Sequence, residues 1–177
     1  MPSLLYKFKC CNEFQLLKTQ YKSKMNEIIA DESNEVGHHP IDYFSWGHVD
    51  IGVSIFLLVS LINTIPSWID QQLVYLIPFW STLVLSLVFA VLWEIVENTL
   101  LIKLQLKFEG RRDSLLNALW DIFFVCVGCV GMWIIKGLMV NLGGPNMIPW
   151  YYIVGIIIFV ILIIAFLIGR AKIKKST

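Results

Sequence analysis

Four stretches of this 177-residue chain stay apolar for about twenty residues or more: 46–65, 76–101, 114–138 and 150–169. A run of that length matches the roughly 30 Å hydrocarbon core of a bilayer at about 1.5 Å of rise per helical residue, and exceeds the needs of a strand. Hydrocarbon offers no partner to backbone N–H and C=O groups, so each run is expected to be a helix that satisfies its own. Composition agrees, with 57% hydrophobic and 15% charged residues against about 25% charged in soluble domains. The expected fold class is therefore an all-α integral membrane protein with four transmembrane helices. Residues 1–43 form an N-terminal segment and linker, 44–169 the membrane domain and 170–177 a basic tail.

Pro66, the segment 103–112 and Gly143-Gly144-Pro145 separate the spans, and Trp68, Trp150, Tyr151 and Tyr152 sit at the depth where interface aromatics belong. Basic residues set the orientation. Lys103, Lys107, Arg111 and Arg112 join spans two and three, and Arg170, Lys172, Lys174 and Lys175 follow span four. The loop between spans one and two has neither Lys nor Arg, and the next outward loop has only Lys136 at its edge. Positive residues stay inside, so both termini are expected to be cytoplasmic, in a plasma membrane or an endomembrane. Leu4, Phe8, Cys11, Phe14, Leu17, Tyr21, Met25 and Ile28 recur every three or four residues, as an interfacial amphipathic helix requires, and 31–40 reads as a polar linker.

A net charge of +1 excludes a nucleic-acid binder, which needs a large cationic excess to track phosphates. The cysteine pairs Cys10–Cys11 and Cys126–Cys129 have no companion ligands nearby, and the second lies inside an apolar span, so packing is the expected role.

The polar residues inside the spans carry the functional signal. Span two ends in Trp93-Glu94-Ile95-Val96-Glu97-Asn98, and span three starts at the same level with Asp113, Asn117 and Asp121 at i, i+4 and i+8, one stripe on a helix. Span one begins nearby with His48, and with Asp50 on another face. Ionisable groups cost at least ~2.5–3.5 kcal/mol each inside a span and so face the bundle interior. Crowded carboxylates repel, and a proton or a cation relieves that repulsion. Oxygen donors suit Mg²⁺, Mn²⁺ or Ca²⁺, whereas zinc favours more nitrogen or sulfur than one histidine supplies. Glu94, Glu97, Asp113 and Asp121 are the expected metal ligands, with Asn98 and Asn117 as supporting polar groups. His48, Glu94 and Asp113 are the expected catalytic residues. The plainer account has the acids snorkel to water at helix ends and pair with Lys103, Arg111 or Arg112; it explains Asp113 better than Asp121, two turns into span three.

Over about residues 42–131 the chain resembles a bacterial polytopic membrane family classed as a domain of unknown function. The resemblance rests on Asp42-Tyr43, His48 and Gly52, on Trp93-Glu94-Ile95-Val96-Glu97-Asn98, and on Asp113-Ser114-Leu115-Leu116-Asn117 with Asp121. Ile51 stands where that family suggests a second histidine, and Arg112 where it suggests a glycine. More distantly the pattern is similar to VanZ-like proteins and to base-exchange phosphatidylserine synthases. The latter resemblance implies calcium-dependent head-group exchange, with Glu94, Glu97, Asp113 and Asp121 at the acidic positions.

Three functions suit these residues. One is a metal-dependent enzyme of lipid metabolism that transfers, exchanges or hydrolyses a phospholipid head group, with membrane lipid as partner and His48 as general base. Another is a cation or proton transporter subunit, for which four spans need a homo-oligomer to build walls. The third is a membrane binding or assembly protein without turnover.

Overall fold

A computed structural model describes residues 39, 41–42, 44–105 and 113–176, with side chains to 172. The expected N-terminal amphipathic helix, and Lys107, Arg111 and Arg112 of the basic loop, lie outside the described residues. Four helices are long and apolar enough to cross a membrane: α1 (Phe44–Asp70), α2 (Phe79–Val96), α3 (Leu115–Lys136) and α4 (Ile148–Ser176). α2 runs on through a π-helical turn, Glu97–Leu101, and α3 through another, Gly137–Asn141.

The start of α1 is built by side chains. Asp42 Oδ1 accepts from the backbone N–H groups of Phe44 (2.8 Å) and Ser45 (3.2 Å), and Ser45 Oγ accepts from Asp42 N–H (3.2 Å). This reciprocal cap satisfies donors that a helix start otherwise leaves exposed. Pro66 does not end α1, as the sequence led us to expect; the helix passes through it to Asp70. A proline deletes one hydrogen bond, here the one to Ile62 C=O, a loss that a helix within a bundle tolerates. Ser67 Oγ donates to Asn63 C=O (2.7 Å). Asn63 then pairs with both backbone groups of Ile77, and Ser67 with both of Val74. These buried residues pin the loop 71–78 across the bundle end.

α1 and α3 meet backbone to backbone. A Cβ added to Gly52 would stand 2.0 Å from the Val125 carbonyl oxygen, and one added to Gly128 would stand 2.2 Å from that of Val49. Cys129 Sγ donates to Gly52 C=O (3.4 Å). Lipid tails are as apolar as leucine, so close approach through small residues is what holds such helices together. Val53, Phe56, Val125, Cys129 and Met132 fill the seam. α4 packs on α1 through Tyr151 and Tyr152, whose hydroxyls pair with Ser60 Oγ (3.0 Å) and Thr64 Oγ1 (2.8 Å). Those tyrosines are thus bundle residues rather than interface anchors, while Trp68 and Trp150 are exposed.

Candidate functional site

The Gly52–Gly128 seam fixes the register of two parallel helices, and toward their N-termini, one turn before Gly52 and two turns before Gly128, it brings His48 against Asp121. His48 Nε2 lies 3.3 Å from Asp121 Oδ1, and both side chains are buried. Asn117, one turn before Asp121, donates through Nδ2 to Asp121 Oδ2. Its own Oδ1 is buried with no hydrogen-bond donor among the described residues.

α2 delivers Glu94 from the opposite direction. It lies on a buried stripe with Thr82, Ser86 and Ala90, spaced four residues apart. Asn98, one turn on and within the π-turn, donates to Glu94 Oε1 and accepts the backbone N–H of Asp113 at 3.2 Å. Asp113 therefore does not belong to the α3 stripe, contrary to the sequence reading. Ser114 is extended (φ −64°, ψ 153°) and caps α3 by accepting from Asn117 N–H, which leaves Asp113 before the helix, held by Asn98.

Ligand atoms of Glu94, Asp113 and Asp121 lie within 4.8 Å of one another, and so do those of His48, Glu94 and Glu97. Glu94 belongs to both groups and is the centre of the constellation. The carboxylates of Glu94, Asp113 and Asp121 fit a hard divalent cation, and the orphaned Asn117 carbonyl adds a further oxygen to the buried wall. Asp50 is buried on α1 outside both groups, and its Oδ1 has no partner among the described residues.

Two further residues stand beside the site, which the sequence reading named only within the motifs of the resemblance. Asp42, whose carboxylate caps the start of α1, is buried at the same end of the bundle, and its place in the Asp42-to-Ser45 capping pattern was the available signal. Trp93 is adjacent to Glu94, and its indole N–H is buried without an acceptor among the described residues. Lys136, taken from the sequence as a loop-edge charge, is instead 1% exposed within the bundle. Compared with family models, curated proteins and solved structures, the chain matches none.

Proposed function

We propose that this protein is a membrane-embedded, divalent-cation-dependent enzyme that transfers, exchanges or hydrolyses a phospholipid head group at the cytoplasmic leaflet. One observation carries the reading: buried Glu94 is shared by two groups of potential ligands, one with His48 and Glu97 and one with Asp113 and Asp121, drawn from three of the spans. The depth supports a lipid substrate. Asp121 is six residues past Leu115, about 9 Å along the helix from its start, so the group sits just below the head-group level. Lys103, Arg170 and Lys172 occupy the same end of the bundle, which supports its cytoplasmic placement.

The protein's residues divide the work as follows. Glu94, Asp113 and Asp121 hold the cation, with Glu97 at its edge; Asn98 ties Glu94 to the backbone of Asp113 and so keeps α2 and the α3 start in register. A divalent cation held there would offset phosphate charge and polarise a phosphoryl oxygen. His48, oriented by Asp121, takes a proton from the attacking water or head-group hydroxyl.

The test is turnover in vesicles. Purified protein reconstituted with head-group-labelled phospholipids should release or exchange label with Mg²⁺, Mn²⁺ or Ca²⁺ and stop in chelator. His48→Gln should slow it roughly 10²–10⁴-fold, the range of a lost general base. Label that stays in place with every cation, or turnover indifferent to chelator, overturns the proposal.

A further inference from the structure

At the bundle end opposite the acidic group, the first turn of α2 packs on the last turn of α3. The Phe79 ring stacks on Trp133, centroids 5.1 Å apart and 15° between planes, and Lys136 Nζ lies 5.7 Å from the same Phe79 centroid. The Lys136 ammonium and the Trp133 indole N–H are both buried, and neither has an acceptor among the described residues. A lysine offers three N–H donors and a tryptophan one, so donors without acceptors gather about one aromatic ring. A cation–π contact recovers only part of the hydration that a buried ammonium loses.

Among the described residues, nothing else at that level supplies the missing charge. Thr82 and Ser86 already donate to the backbone of α2. Asp121 stands fifteen residues away on the same helix, about 22 Å along its axis, and Asp70 is exposed at the far tip of α1. Depth points to the kind of anion. With its π-turn α3 spans 27 residues, roughly 40 Å at 1.5 Å each, so its ends overhang a ~30 Å hydrocarbon core by about 5 Å. Lys136 is five residues short of Asn141, about 7–8 Å inside that end. The ammonium stays inside the bundle against Phe79, a short way below the lipid phosphates, so the anion would come to it from that level. The π-turn Gly137–Asn141, which begins at the next residue, is the kind of helix defect that accompanies binding sites.

We propose that Lys136 and Trp133 form a phosphate-binding site in the leaflet opposite the acidic group. Lys136 supplies the charge and Trp133 the directed hydrogen bond, with Phe79 as the platform that aligns them. A lipid head group and free phosphate present the same oxygens, and the experiment separates them.

The full chain, purified in neutral detergent, is melted in sodium phosphate and in sodium chloride of equal ionic strength, then with phosphatidylglycerol and with a phosphate-free glycolipid. Phosphatidylglycerol should raise Tm above the glycolipid value by about 5 °C at near-saturating ligand. A matching rise with free phosphate in detergent identifies the small anion as sufficient. Lys136→Gln should lose the response. Trp133→Phe, which keeps the stacked ring and removes only the N–H, should weaken it, and carries the test should the lysine variant not fold. No response to either phosphate source, or an equal response in both variants, overturns the site. Stabilisation by divalent cations should persist in both variants, so this outcome is read apart from that of the acidic group.

Discussion

Asn98 makes contacts that join two elements: its amide donates to Glu94, and its carbonyl accepts the N–H of Asp113. Asn98→Ala removes both, and leaving buried groups unserved costs about 1–3 kcal/mol. Asn98→Asp keeps the acceptor for Asp113 but sets another negative charge against Glu94. Melting in chelator should rank wild type above Asn98→Ala and Asn98→Asp lowest, and saturating divalent cation should close the gap between the two variants. Equal melting of both variants in chelator would show that charge does not govern this cluster. Much at this scale was legible in advance, because Asn117 and Asp121 share a helical spacing and Glu94, Glu97 and Asn98 share a turn. The position of Asp113 was not, since the Ser114 cap shifts the helix start past it.

The seam between α1 and α3 decides whether the site exists. A methyl group on Gly52 or Gly128 would collide with a carbonyl oxygen, whereas Gly131 has open space around its Cβ position. Gly128→Ala should therefore cost about 1–3 kcal/mol from overpacking, and should weaken cation binding as well by parting His48 from Asp121. Gly131→Ala should be neutral or stabilising by up to about 1 kcal/mol, the helix preference of alanine over glycine. Thermal melts with and without cation check both, and a Gly128→Ala protein as stable as Gly131→Ala would contradict the close packing. The spans were readable from length and apolarity. The seam was not, because a contact between residues 52 and 128 leaves no periodic trace. Pro66 misled for a related reason: the bonds from Asn63 and Ser67 to the loop 71–78, which anchor this end of α1, are visible only once the chain is folded.

At the scale of the bundle, buried charge is sorted by end among the described residues. The buried acids and His48 gather where α1 and α3 begin and α2 finishes, and Lys136 is buried at the other end. Basic residues flanking the acidic end predict that it faces the cytoplasm. With the four native cysteines replaced, Ser176→Cys should resist an impermeant thiol reagent in intact cells and react after lysis; labelling in intact cells would reverse the orientation. The burial of Lys136 could not be read in the sequence, because a lysine near a span end reads as a snorkelling one until its neighbours are placed. The account depends most on a divalent cation at Glu94, Asp113 and Asp121. Only ligands bound by the native state stabilise it, so melting the purified protein in chelator and in millimolar Mg²⁺, Mn²⁺ or Ca²⁺ is the most direct test. The account predicts a rise of several degrees with at least one of these ions, selective among them, abolished in Glu94→Gln and Asp121→Asn, with both variants at least as stable as wild type in chelator. A wild-type melting curve that no divalent ion moves, or one that moves equally in both variants, contradicts it.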